Sequence, residues 1–491
     1  MAWRGSFDKL FIGGNWVDPL STEKIEVISP ATELPVGEVV AAGRADVDRA
    51  VAAARRAFDH GPWPRLELAE RMAIVQKFAD IFRDRHDTTS QVVTTEMGCP
   101  ISLSRVIQAA VPQSILDAYL DSAVNYPFTS LRRSDKGCAL VTREPVGVVA
   151  AVVPWNVPMS VTMQKIAPAL ITGCTVVLKP APETPMSAYL LSEMLLEAGI
   201  DDGVVNMVPA DREVSEYLVT HPDVDKVAFT GSTAVGRRLA SLCGQNLKRV
   251  TLELGGKSAA IILDDADLEA TVESLRYGSL RNSGQVCSLK TRLLVSRRRH
   301  DELIDRLSGL IGDMPVGDPQ DPITQIGPLV SARQRSMVEN YFAVGRNEGA
   351  RAVIGGGRPA GLDRGWYVEP TVFDEVAPSM RIAQEEIFGP VLSVITYRDE
   401  DEAVAISNGT RYGINGSVFT TDLDRGLALS RRIRTGSIEL NGNFAGLHAP
   451  MGGFKDSGIG RESGPEGFDA YVELKSTGLP ADFAARLAES S

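Results

Sequence analysis

Cysteine and histidine are both scarce, with five of each in 491 residues. Cys99, Cys138, Cys174, Cys243 and Cys287 lie far apart and form no CxxC, which argues against a disulfide framework or a structural zinc site. His60, His86, His221, His300 and His448 include no HExxH and no close pair. Metal chemistry and a histidine-based triad both lack material, and no metal is expected. A basic excess is missing too: 51 Lys and Arg against 63 Asp and Glu leave a formal charge of −12. No basic stripe is interleaved with aromatics, so no nucleic-acid partner is expected, and the acidity speaks for solubility. Long apolar runs are also lacking. The longest uncharged stretch, Pro145 to Gln164, is interrupted by Pro154, Asn156 and Pro158, which a bilayer would leave poorly satisfied. It reads as a buried strand followed by a loop, with no membrane span. The opening MAWRGSFDKLFIGGNW has no signal-peptide core, and the expected compartment is the cytoplasm.

What is present is alternation. The chain is too long for one core, and roughly 150 residues per domain suggests about three units. Val146–Val153, Thr175–Leu178 and Val224–Phe229 read as buried strands. A helix before the third has Thr184 as N-cap, Pro185 in its first turn and Gly199 at its exit. Ala45–Phe58 and Leu66–Met97 read as helices, the first with Val47, Val51, Ala54 and Phe58 in register. After Gly255 come strand Ala259–Leu263, a helix opening near Asp264–Asp267, and helix Ser331–Glu348. Strand Val391–Tyr397, a helix near Glu400–Ser407, strand Ser417–Thr420 and a helix opening at Asp422 follow. This pattern predicts an α/β fold of two parallel-sheet domains joined near Gly255–Gly256. Ala123–Thr142 and a strand at Tyr471–Thr477 would form a third, protruding element.

Several residues carry chemistry as well as a blander alternative. Cys287, in the loop NSGQVCSLKTR, is a nucleophile or an inert buried thiol. Glu253 interrupts the apolar strand VTLELGGK, where it is a general base raised by desolvation or a solvent-facing strand residue. Asn156, bracketed by prolines in VVPWNVP, is an oxyanion donor or a turn asparagine. FTGSTAVG (Phe229 to Gly236) links a strand to a helix where phosphate can meet free amides, although it is not GxGxxG. Lys179, closing the strand in VVLKPAPETP, is a cofactor contact or a surface lysine.

VVPWNVP, FTGSTAVG, VTLELGGK, SGQVC, EEIFGPV and GGFKDSGIGRE stand in the order of the signatures of the aldehyde dehydrogenase superfamily. The chain resembles that superfamily over nearly its whole length, including the 34-position spacing between Glu253 and Cys287. The resemblance implies that Cys287 is the nucleophile, Glu253 the general base and Asn156 the oxyanion donor. It implies a Rossmann-like site for NAD, with NADP as the alternative. Trp155 and Lys179 would flank the adenosine ribose, and Ser232 with its neighbours Gly231, Thr233 and Gly236 the pyrophosphate, with Val153 and Pro154 as further cofactor contacts. Glu386 and Phe388 would meet the nicotinamide ribose and ring, with Gln334 as a further ribose contact. The implied domains are a dinucleotide-binding domain (residues 1–122 and 146–255) and a catalytic domain (256–457). An oligomerisation arm with the tail (123–145 and 458–491) would build homodimers or homotetramers.

The expected reaction oxidises an aldehyde to the acid through a Cys287 thiohemiacetal and a thioester that water hydrolyses. A coenzyme A-dependent acylating enzyme and a cysteine esterase without redox are the rivals. Met159, Val161, Gln164, Phe444, Leu447 and Met451 are candidate walls for the substrate, without an arginine. Some positions depart from the superfamily pattern. Met451 replaces a phenylalanine, Val286 and Ser288 flank Cys287, and Pro182 stands where a cofactor-selecting carboxylate is common. NAD is nevertheless expected over NADP, because Lys179 is the only cation between Lys165 and Arg212.

Overall fold

Strands Val148–Val152 and Thr175–Lys179 are buried along their whole length, as continuous apolar runs covered on both faces must be. Their alternation divides the packing. Val148, Ala150 and Val152 join one apolar cluster, while Val149, Ala151 and Val153 join the cluster on the opposite face. In the computed structural model, which describes residues 7–489, these strands sit at the centre of an eight-stranded sheet.

Across that sheet the order is Gly458–Ile459, Arg249–Glu253, Lys226–Thr230, Val148–Val152, Thr175–Lys179, Val205–Met207, Leu10–Ile12 and Asn15–Val17. The five inner strands from Arg249–Glu253 to Val205–Met207 are parallel, and the outer ones antiparallel. The strand order reverses between Val148–Val152 and Lys226–Thr230. Such a switch point opens a crevice at the carboxyl ends of the strands.

A second sheet holds seven strands, in the order Arg351–Ile354, Thr371–Asp374, Val391–Tyr397, Lys290–Ser296, Ser258–Ile262, Gly416–Phe419 and Glu439–Leu440. All but the first pair in parallel. Period-two alternation again splits the core, with Ile261 and Leu294 on one face and Ala260, Ile262, Leu293 and Val295 on the other. Thr129–Ser134, Gly137–Pro145 and Val472–Leu479 form an antiparallel three-stranded sheet, and Lys24–Ile28 pairs with Pro35–Val40. Among the described residues no helix is long and apolar enough to cross a membrane.

The differences from the sequence expectations have local causes. Leu66–Met97 is two helices, Leu68–Asp84 and His86–Met97, broken at Arg85. The loop expected at the end of the Pro145–Gln164 stretch gives way at Pro158 to helix Pro158–Thr172. Proline suits a first turn, whose amide needs no intrahelical partner. Thr184 is not a cap. Pro185 takes that place, and the Glu96 carboxylate accepts from the Met186 and Ser187 amides at 2.7 and 3.2 Å. The Thr184 hydroxyl stays buried without a partner. Residues 101–125, not foreseen as helical, form Ile101–Ser104, a π-helical stretch Arg105–Ala110 and Val111–Asn125. Residues 458 and 459, expected in the arm, instead edge the eight-stranded sheet beside Leu252 and Glu253.

Candidate active site

Three consecutive left-handed residues shape the loop carrying Cys287: Asn282 (φ 54°), Ser283 (φ 55°) and Gly284 (φ 76°). Side-chain residues avoid this conformation unless their surroundings impose it, and here each is tied down. Asn282 Nδ2 donates to Asn156 O at 3.0 Å, and Ser283 Oγ donates to Gly327 O at 2.8 Å. Gln285 donates to Asn282 O at 3.1 Å and accepts from the Val330 amide at 3.0 Å. Close approach fixes the rest. A Cβ on Gly284 would lie 2.0 Å from the Gly389 carbonyl, and one on Gly256 would lie 2.3 Å from Cys287 O.

Asn156 arrives from the carboxyl end of Val148–Val152. Its Nδ2 donates to Gln285 O at 2.9 Å, two residues before Cys287. Its own carbonyl accepts from Gln108 in the π-helical stretch at 3.2 Å and from Asn282. The amide is therefore a positioned donor beside the thiol loop, which goes beyond a turn asparagine.

Glu253 ends its strand opposite Thr230, and its carbonyl accepts from Gly231 N at 3.0 Å. The side chain is 3% exposed, and neither carboxylate oxygen has a hydrogen-bond partner. It does not face solvent, so that alternative is excluded. Burial pushes its carboxyl well above the usual range, Glu462 adds to the rise, and Lys165 and Arg461 oppose it. Burial likewise pushes the Cys287 thiol up to about 12, with Glu386 and Glu253 adding and Arg281 opposing. A buried, unpartnered carboxyl whose charge is felt at the Cys287 thiol suits a general base beside the thiol loop.

Lys165 and Glu462 escaped the sequence reading. Lys165 Nζ lies 2.6 Å from Glu462 Oε1 and 2.7 Å from Thr230 Oγ, with both charged side chains buried. Lys165 had one signal, as the charge that ends the longest uncharged stretch, and Glu462 closes the motif GGFKDSGIGRE.

Glu386, half-buried, accepts from Gly256 N at 2.9 Å, and desolvation raises its carboxyl to about 7 against that hydrogen bond and Lys257. Phe388 (φ 56°) meets Trp155 edge-on, ring centroids 5.4 Å apart. Gln334 Nε2 donates to Phe388 O at 2.7 Å. Trp155, expected near the adenosine half, thus packs with Phe388, which was expected at the nicotinamide.

The residues expected at the cofactor gather at the switch point. Pro154 follows Val153, whose amide bonds Lys179 O at 3.1 Å. Ser232 caps helix Thr233–Gln245, and Thr233 Oγ donates to Asp456 O at 3.4 Å. A Cβ on Gly231 would come within 2.5 Å of the Phe229 ring, and one on Gly236 within 2.4 Å of Leu254. A cleft of about 190 Å³ lies alongside, its apolar walls including Val152, Val219, Phe229 and Leu239. Lys179 lines it, and burial lowers its ammonium to about 8 while Glu183 and Asp211 oppose the fall. Apolar walls for a base, polar groups for a ribose and a capped helix start for phosphate fit a dinucleotide.

On the substrate side, Gln164 Nε2 sits 3.9 Å from Met451 Sδ, and Phe444 is exposed. Arg276 is held by Glu273 and Gln325. Arg281 stacks on Tyr277 and donates to Ser288 Oγ at 3.1 Å, next to Cys287.

Residues 16–477 match the aldehyde dehydrogenase family. The chain is 46% identical over 471 residues to a geranial dehydrogenase of Castellaniella defragrans, covering 96% of this chain and 98% of the relative. It is 41% identical to a 3-succinoylsemialdehyde-pyridine dehydrogenase of a Pseudomonas species, with the same coverage. The structure superposes on an aldehyde dehydrogenase of Mycobacterium tuberculosis complexed with NAD+ at a TM-score of 0.95, with 47% identity over 96% of this chain and 98% of that one. A Pseudomonas syringae aldehyde dehydrogenase mutant complexed with NAD+ and octanal gives 0.93, with 40% identity over 96% of both chains.

Proposed function

The chain belongs to the aldehyde dehydrogenase family and is an NAD-dependent oxidoreductase acting on aldehydes, and on that premise we propose that it releases the acid by hydrolysing a thioester on Cys287. The observation that carries this reading is the buried, unpartnered carboxylate of Glu253 beside the thiol loop. A carboxylate without internal hydrogen bonds keeps both oxygens for a proton-bearing guest.

Cys287, deprotonated, adds to the carbonyl carbon to form a thiohemiacetal. The Asn156 amide and the Cys287 backbone N–H hold the developing oxyanion. Bound NAD supplies the two-electron acceptor, and the oxidised adduct is a thioester. Glu253 then takes a proton from water, whose oxygen attacks the acyl carbon. The C–S bond breaks, the acid leaves, and the thiol is restored. Lys179 and Ser232 would hold the cofactor's ribose and phosphates, with Glu386 and Phe388 at its reactive end. Gln334 acts through Phe388, whose carbonyl it bonds.

A buried water-activating base favours hydrolysis over acyl transfer to coenzyme A, and the dinucleotide cleft favours redox over a simple esterase. NADH formation from aldehyde and NAD without coenzyme A tests both points. No such signal on a broad aldehyde panel would overturn the reading.

The domain division belongs to the same proposal: residues 1–122 and 146–255 for the cofactor, 256–457 for the thiol, and the remainder as arm and tail apart from 458 and 459, which edge the eight-stranded sheet. Separate sheets and separate apolar clusters support it. The antiparallel three-stranded sheet, with Leu474 exposed on it, supports a homodimer or homotetramer, and the cytoplasm is the proposed compartment.

The substrate walls lead to a further expected result. Apolar aliphatic or aromatic aldehydes outrank short dicarboxylic semialdehydes in kcat/KM, because a second carboxylate calls for a free arginine. Arg281 is already engaged with Ser288 and Tyr277. Succinic semialdehyde ranking first on the panel would show that Arg281 leaves those partners for substrate.

A further inference from the structure

Selection between NAD and NADP turns on the charge beside one ribose, and Pro182 brings none. It lines the cleft together with Lys179, Asp211, Arg212, Glu216 and Arg238, so the tertiary structure gathers charges that are separate in sequence. Arg238 is committed: its Nε and Nη2 meet the two Glu216 carboxylate oxygens at 2.5 and 2.6 Å. A guanidinium held by both prongs of a carboxylate has little left for a phosphate. Arg212 is exposed, and its charge is felt at Glu216.

Glu183 follows Pro182 but is not part of the cleft lining, whereas Asp211 is. Asp211 is also held in place. As the N-cap of helix Arg212–Thr220 its Oδ1 accepts from Val214 N at 2.8 Å, which leaves Oδ2 for another donor. The charges of Glu183 and Asp211 both reach Lys179, but only Asp211 shares the cleft lining with that lysine, so a ribose-sized group in the cleft meets this carboxylate.

We propose that Asp211 is the residue by which this chain selects NAD over NADP, supplying from a different element the carboxylate that Pro182 does not. It accepts a hydrogen bond from the adenosine ribose and repels a phosphate in the same place. This rests on reading the cleft as the adenosine site of the family's cofactor.

The test is equilibrium binding, by calorimetry or by quenching of protein fluorescence, with NAD+ and NADP+ titrated separately. Wild type, Asp211→Asn and Glu183→Gln are compared. Asparagine keeps the cap acceptor and removes the charge, so the fold is retained. The wild-type protein binds NAD+ about fivefold more tightly, the upper end for one exposed charge contact. Asp211→Asn brings the two dissociation constants within about twofold, mainly by tightening NADP+, and Glu183→Gln leaves the wild-type ratio standing. An unchanged ratio in Asp211→Asn overturns the proposal, as does a collapse confined to Glu183→Gln. Tighter NADP+ binding by wild type also overturns it and points to Arg212 and Arg238 as a phosphate clamp. If wild type binds neither dinucleotide, the reading of the cleft fails first and the selection falls with it.

Discussion

Replacing Cys287 with alanine drops aldehyde oxidation below about one per cent of wild type, since losing a covalent nucleophile costs several orders of magnitude. NAD binding stays within about twofold, because the cleft around Lys179 has no contact with the sulfur. The loop also survives. The anchors of Asn282, Ser283 and Gln285 are amide, hydroxyl and backbone contacts that do not use Sγ. No other cysteine is placed to substitute: Cys99, Cys174 and Cys243 are buried, with burial raising all three thiols, and the half-buried Cys138 lies in strand Gly137–Pro145 of the three-stranded sheet. Steady-state NADH formation and a cofactor titration on the same preparation check both halves. Turnover above about one per cent, with the cofactor still bound, would remove Cys287 from the nucleophile's role.

Glu253→Gln separates the two halves of the reaction. The amide keeps the shape but takes no proton at neutral pH, so acyl-enzyme hydrolysis slows by about a hundredfold or more. Thiol attack is spared, since Glu253 is among the groups that push the Cys287 thiol up, and removing its charge relieves that push. A single-turnover burst of NADH therefore persists while steady-state turnover collapses. Loss of the burst along with turnover would mean that Glu253 is needed to ionise Cys287.

The same substitution has a signature in pH. Folding raises the Glu253 carboxyl well above its ordinary value, so the ionised form is disfavoured in the fold. Above the unfolded carboxylate value this group costs stability, increasingly so until the pH passes its folded value. Glu253→Gln removes that cost, and its thermal midpoint at neutral pH equals or exceeds that of wild type. Hydrolysis in wild type gains rate as pH rises through the elevated Glu253 value, an acid limb that the variant lacks. A lower midpoint in the variant would mean that the carboxylate has a stabilising partner.

The central strands were legible because a strand buried on both faces needs an unbroken apolar run, and Val391–Tyr397 has the bounds its pattern predicts. The helix openings expected near Asp264–Asp267, at Ser331 and at Asp422 were equally local, and Asp267, Ser331 and Asp422 cap those helices. Where a partner comes from elsewhere, local reading failed. Thr184 was the natural cap by type, yet Glu96, ninety residues away, takes the amides. The arrangement at Lys165 depends on Glu462, 297 positions distant, and no spacing rule connects them.

By itself the sequence determined the class of chemistry. One loop cysteine, a carboxylate in an apolar strand and a proline-bracketed asparagine, in that family's order, point to the proposed reacting groups, because covalent attack, proton transfer and oxyanion binding each call for a particular side-chain type. The tertiary structure alone decided their environment. It left Glu253 without a hydrogen bond, turned Asn156 toward the Cys287 loop, engaged Arg281 with Ser288, and set Asp211 beside Lys179. Burial, electrostatics and cavity shape are sums over neighbours that chain order does not bring together, so they come into being only when the sheets close.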